Sequence, residues 1–198
     1  MPKVIVIAGP NGAGKSTTAP AVLRNALQVR EFVNADTIAA GLSAFSPETV
    51  AIAAGRLMLH RVRELARERR DFAFETTLSS RSFAPWLKEL QANGYTLHLV
   101  YLRLPTVELA LARVAERVRR GGHSVPEHIV RRRYDRSLAN FFTLYSRFAD
   151  SWVMLDNSIR RRPRLIAKRA IGRPIKIFDA NEWRVLRTKY GQEVSDDS

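Results

Sequence analysis

The sequence predicts an α/β fold, a central and mostly parallel β-sheet covered by helices on both faces. Three observations carry that expectation. Apolar, β-branched runs alternate along the chain with helix-like stretches, the order that builds βαβ units. The first such run, at 4–8, is followed at once by a glycine-rich turn and then by a helical pattern. Finally, 198 residues of which 45% are hydrophobic suit one domain of this class.

Each element follows from local chemistry. Residues 4–8 have no polar interruption, as in a strand buried on both faces. Glycines break that run over 9–14, and a helix is predicted over 15–27. A short strand falls at 31–34. Ser46 and Pro47, a polar cap before a proline at the first helical position, open a helix reaching about residue 70, with Val50, Ala54, Leu57 and Leu65 on one side. A strand at 72–74 and a helix over 82–93, stopped by Gly94, come next. The clearest strand is 95–104, ended by Pro105. A helix over 106–120 is interrupted by Gly121 and Gly122, and Ser124 to Glu127 has the capping-box spacing for another helix reaching about residue 145. Residues 152–155 read as a last central strand, with a short strand at 175–178 and a terminal helix from residue 181 beyond it. His60 falls inside a helix and His98 inside a strand, so both are assigned to packing.

Charge is concentrated. Lys and Arg number 33 against 19 Asp and Glu, for a formal net charge of +14, and only six of the 33 are lysine. Eight arginines and three acids lie in 111–136; seven basic residues and no acid lie in 160–173. Arginine's planar fork matches phosphate, so nucleotides, nucleic acid or an acidic protein are the expected partners. A solubilising surface is the alternative for 160–173. The absence of cysteine removes disulfide frameworks, thiolate zinc sites and cysteine nucleophiles. No stretch approaches the ~18 to 20 apolar residues of a membrane span. Met1-Pro2-Lys3 runs into the first strand without a signal-peptide cleavage pattern, and the expected location is the cytoplasm.

The chemistry begins at Gly9, Pro10, Asn11, Gly12, Ala13, Gly14, Lys15 and Ser16, which satisfy G-x-x-x-x-G-K-[ST] between a predicted strand and helix. In such a P-loop, backbone N–H groups converge on the phosphates of ATP, the lysine reaches the β and γ phosphates, and the Ser16 hydroxyl is placed to ligate Mg²⁺. Thr17 extends the nucleotide-binding set. No Asn-Lys-x-Asp guanine reader and no Leu-Ser-Gly-Gly-Gln signature is present, which turns the expectation toward a kinase-like P-loop NTPase. Asp36, at the carboxyl end of the second strand, stands where ligands bind in open α/β sheets and can accept the proton of an attacking hydroxyl; a helix cap is its alternative role. Glu75 after the third strand, with Thr76, is placed to hold Mg²⁺ through water or to bind substrate. A lid over about 117–126 brings Arg117 and Arg120 toward the transferred phosphoryl group and His123 toward the substrate, while Arg113 and part of 131–133 suit a solvated helix face.

Taken in order, the P-loop, Asn34-Ala35-Asp36, Phe74-Glu75-Thr76-Thr77-Leu78 and Gly121-Gly122-His123-Ser124-Val125-Pro126 resemble the small bacterial zeta-toxin-like P-loop kinases, over roughly residues 1–158. The resemblance implies an ATP- and Mg²⁺-dependent kinase that phosphorylates a hydroxyl of a small molecule such as UDP-N-acetylglucosamine, and an acidic antitoxin as partner. It also implies that Asp36 is the catalytic aspartate, Lys15 the phosphate-binding lysine, Glu75 the strand-end glutamate and Arg117 the first lid arginine, while His123 stands where the second lid arginine would be. Residues 1–158 are then the kinase domain and 159–198 a basic extension packed on it or continuing it. A polynucleotide 5′-hydroxyl kinase and a non-catalytic ATP-dependent binding protein are the alternative functions, and non-specific nucleic-acid binding is compatible with the basic tracts.

Overall fold

The computed structural model describes residues 1–21, 23, 28–43, 47–122, 124–159 and 162–191. Seven strands form one sheet: β1 (Lys3–Ala8), β2 (Glu31–Val33), β3 (Phe72–Thr76), β4 (Thr96–Arg103), β5 (Ser151–Asp156), β6 (Arg164–Arg169) and β7 (Lys176–Ile177), in the order β2-β3-β1-β4-β5-β6-β7. The first five are parallel, and β6 and β7 add antiparallel at one edge. The helices are α1 (Lys15–Ala21), α2 (Ala35–Leu42), α3 (Ala51–Arg67), α4 (Phe83–Ala92), α5 (Val107–Arg119), α6 (Glu127–Asn140), α7 (Ser146–Phe148) and α8 (Ala180–Tyr190).

Strand β1 sits at the centre, and its alternate side chains divide the core. Val4, Val6 and Ala8 join the larger cluster with Met58, Val62, Leu87 and Val114 from three helices. Ile5 and Ile7 face the other way, onto Ala19, Leu23 and Val29. An uninterrupted apolar strand is what such two-sided burial demands. Crossovers between parallel strands bring the chain back to the same sheet edge, so the loops after β1, β2, β3 and β5 gather at the carboxyl ends of the strands.

Several local expectations are revised. The strand β6 was not expected from the basic sequence of 164–169; its Ile166 and Ala167 are buried, Lys168 is exposed, and Arg164 reaches Asp156 and Asp179. The predicted helix start at Ser46 and most of 22–27 lie outside the described residues; the chain from Pro47 to Val50 is a 3₁₀ turn before α3. On α3 the buried stripe is Ala54, Met58, Val62 and Leu65, and Leu57 is exposed because it falls off that 3.6-residue period. The Ser124 capping box does not form. Pro126 is the N-cap of α6 (φ −55°, ψ 141°), and helical backbone is disfavoured at the residue preceding a proline, so α6 starts at Glu127. The helical run to Tyr145 includes a π turn at Phe141–Tyr145. His60 is exposed rather than packed, while His98 is half-buried against Ser151 at 2.6 Å.

Candidate active site

The strand ends and the side chains of α5 and α6 line a cleft of about 640 Å³. Its floor is the P-loop. The backbone leaves β1 through Gly9 at φ +141°, where a Cβ would lie 2.1 Å from the Leu102 carbonyl oxygen. At Gly14, φ is +78° and a Cβ would lie 2.7 Å from Asn157 Nδ2, so glycine is the residue that both positions admit. Gly9, Pro10 and Ala13 do not reach the cleft wall; their carbonyls hold the loop. The Lys15 ammonium donates to Gly9 O at 2.9 Å and to Pro10 O at 3.0 Å, and Asn157 Nδ2 donates to Ala13 O at 2.7 Å. Asn11, Gly12, Gly14, Lys15, Ser16 and Thr17 face the cavity.

Glu75, near the end of β3, joins two of these groups to Asn34. Its Oε2 accepts from Ser16 Oγ and from Asn34 Nδ2, each at 2.7 Å, and its Oε1 lies 3.6 Å from Lys15 Nζ. Burial holds the Lys15 pKa below the ordinary lysine range, against the opposing pull of Glu75 and Asp36. A buried ammonium packed on carbonyls and one carboxylate, in a loop built of N–H donors, suits a polyphosphate.

Sequence reasoning gives Asn34 no role of its own, and the structure gives it two. Its Oδ1 accepts from the backbone N–H of Asp36 at 2.7 Å and of Thr37 at 3.3 Å, capping α2. Asp36 is therefore not the cap but a first-turn residue, 59% exposed into the cleft and 3.7 Å from the Arg117 guanidinium. The signal was available: Asn before a helix start is a favoured N-cap, and the same amide can turn its nitrogen to a neighbouring acid.

Arg117 and Arg120 close α5. The helix stops in a Schellman motif, with Gly121 N–H donating to Val118 O and Gly122 N–H to Arg117 O, each at 2.9 Å. Both arginines line the cleft; Arg120 is 73% exposed and pairs with Glu116 at 2.6 Å. Glu75, Thr76, Asp36 and these arginines thus share one cavity with the P-loop. His123, expected to bind substrate, lies outside the described residues. Arg113 was expected on a solvated face and instead lines the cleft, as does Arg133, one of the three arginines of which part was expected there. Arg113 donates to Asn157 O at 2.9 Å and Ser158 O at 2.6 Å, while burial and neighbouring Arg132 lower the pKa of Arg133 against the attraction of Asp36. Their inward direction depends on how α5 and α6 meet, which residue spacing alone does not encode.

Among the described residues no helix is long and apolar enough to cross a membrane, and no group of three or more His, Cys, Asp or Glu side chains is placed to hold a metal. The zeta toxin family model matches residues 1–162. An uncharacterised protein of Haemophilus influenzae is 35% identical over 132 residues, 67% of this chain and 92% of that protein. Among solved structures, a chain of the AvrRxo1-ORF1:AvrRxo1-ORF2 complex with sulphate ions superposes with a TM-score of 0.78 at 17% identity, over 99% of this chain and 66% of that one. The same complex with ATP superposes at 0.75. The present chain therefore spans a little under two thirds of that relative's length. A chain from the PezAT toxin–antitoxin system of Streptococcus pneumoniae superposes at 0.64 with 14% identity, over 99% of this chain and 81% of that one.

Proposed function

Because this chain belongs to the zeta toxin family, we propose that it is an ATP-dependent kinase transferring the γ-phosphoryl group to an alcohol hydroxyl of a small molecule. The observation that carries the reading is the sharing of one cleft by a P-loop with its buried Lys15, a carboxylate at Asp36 and the arginines of α5.

The roles follow from position. The loop from Gly9 to Thr17, with Lys15, binds and orients the triphosphate. The acceptor oxygen attacks the γ-phosphorus, the bond to the β,γ-bridging oxygen breaks, and Asp36 takes the acceptor's proton on its carboxylate. Arg117 now rests beside Asp36 and, with Arg120 and the half-buried Arg133, offers positive charge where the transferred group gains negative charge. Glu75 and Thr76 line the cleft beside Asp36, where they can position the acceptor.

The site fits Mg²⁺. Ser16 Oγ and the Glu75 carboxylate are oxygen donors 2.7 Å apart beside the phosphate loop, and a site with few protein ligands suits a cation that retains waters and phosphate oxygens. Ser16 would hold the ion directly and Glu75 through water. When bound, it neutralises charge on the phosphates.

As the acceptor we propose a sugar nucleotide of the UDP-N-acetylglucosamine type, which the resemblance in sequence implies, and an acidic antitoxin is the fitting partner for a chain of net charge +14. A screen of hydroxyl acceptors with γ-labelled ATP tests the reading, with Asp36→Asn alongside. That variant should bind ATP within a few fold of the wild type and transfer phosphate ~10²-fold more slowly. Unchanged transfer would remove Asp36 from the chemistry, and the absence of labelled product from every acceptor class would sink the kinase reading.

A further inference from the structure

The nucleotide side of the cleft depends on a loop, 156–158, which Arg113 holds from the cleft through Asn157 O and Ser158 O and which is also tied to residues outside the site. Asn157 holds the P-loop through Ala13 O and lines the cavity. The loop itself is shaped by Asp156, whose Oδ1 accepts from Ser158 N–H at 2.7 Å, and by Asn157 N–H donating to Arg103 O at 2.9 Å. Asp156 and Arg103 are both 5% exposed, at the ends of neighbouring parallel strands β5 and β4. Charges so deeply buried persist only where they are paired.

The pairing reaches into a different part of the chain. Arg103 Nη1 lies 3.3 Å from Asp156 Oδ2, and its Nη2 lies 2.5 Å from Glu182 on α8. Asp156 Oδ2 is also 3.5 Å from Arg164 on β6, and Arg164 in turn pairs with Asp179, the N-cap of α8. Glu182 is fixed because its neighbour Trp183 is buried, stacked on Trp152 of β5 at 5.5 Å and 16°. All of these outer partners lie beyond residue 162, where the family match ends.

We propose that the β6–α8 segment is a positioning element of the nucleotide site: through Glu182, Arg164 and the buried Arg103–Asp156 pair it sets the place of Asn157 against the P-loop. Arg103 and Glu182 touch no substrate and act only through that loop. This inference rests on the cleft being the ATP site.

The test is the double variant Glu182→Gln, Arg164→Gln, which removes the charge from both ties to α8 and β6 while leaving Arg103 and Asp156 in place. Binding of a non-hydrolysable ATP analogue with Mg²⁺ is measured without acceptor, below the melting transition. The dissociation constant should rise about tenfold, the equivalent of one charge-assisted hydrogen bond removed from the loop. In turnover, KM for ATP should rise while kcat at saturating ATP changes little. Val62→Ala, a cavity in the core far from this network, is the control for general destabilisation and should leave the dissociation constant unchanged. If the double variant fails to fold, the exposed single change Arg164→Gln replaces it, with a smaller rise expected. An unchanged constant in the variants, or an equal rise in Val62→Ala, overturns the inference and leaves the kinase reading standing. A wild-type chain that binds no nucleotide overturns both.

Discussion

Lys15 shows how a single residue trades stability for function. Its ammonium is buried, and burial outweighs Glu75 and Asp36 in setting its pKa below the ordinary lysine value. The charged form is therefore a net cost to the folded state. That cost is complete at pH values below the lowered pKa and fades as the pH rises toward the pKa of the unfolded chain. Lys15→Met should raise the stability of the nucleotide-free protein at neutral pH, lose that gain in alkaline solution, and abolish phosphoryl transfer. Thermal melts of both proteins across that range check it. A lower melting temperature for the variant at neutral pH would mean that the Glu75 ion pair outweighs the burial.

At the scale of elements, the side of the cleft proposed for the acceptor is held by the end of α6. Leu78, two residues past β3, is a buried non-glycine residue at φ +60°, a conformation that persists only where its surroundings enforce it. Asn140, the last residue of α6, supplies that constraint: its Nδ2 donates to Leu78 O at 2.9 Å, and its Oδ1 accepts from Arg81 Nε at 3.2 Å. Asn140→Ala leaves a buried carbonyl without its donor and should cost about 1–3 kcal/mol. Because Leu78 follows Glu75, Thr76 and Thr77, KM for the acceptor should rise more than KM for ATP. Chemical denaturation and two-substrate kinetics measure the two effects, and an equal change in both KM values would show that the loop does not shape the acceptor site.

At the scale of the molecule, positive charge is divided between the cleft and the tract at 160–173. Arg160 and Arg161 lie outside the described residues, and Arg162 is exposed. Replacing all three with Gln should leave phosphorylation of a small acceptor nearly unchanged. Any binding to oligonucleotides should weaken, and its salt slope should flatten by about 0.7 to 0.9 for each phosphate that is no longer neutralised. A strong fall in phosphorylation of an oligonucleotide 5′-hydroxyl, with no activity on sugar nucleotides, would identify a polynucleotide kinase instead. The measurement that decides is catalysis, since a basic tract attracts any polyanion.

Local chemistry by itself determined the parallel α/β core and the phosphate loop. A two-sided strand such as β1 must be apolar throughout, and a phosphate cradle must have glycines where its backbone turns, so both are written in consecutive residues. It also marked Asp36 and Glu75 as candidates, because a crossover topology brings successive strand ends to one edge, and Arg117 because it stands at a basic helix end before Gly121 and Gly122. What only the tertiary structure decided were relations between distant segments. Arg113 and Arg133 turned inward because α5 and α6 flank the same cleft, and Asn34 joined the site because its amide reaches Glu75 at 41 residues' separation. The basic stretch at 164–169 became a strand because Ile166 and Ala167 could be buried against the sheet while its charged side chains found Asp156, Asp179 and solvent. Such ion pairs contribute nothing to a local sequence pattern. They exist only once the sheet has brought their partners together.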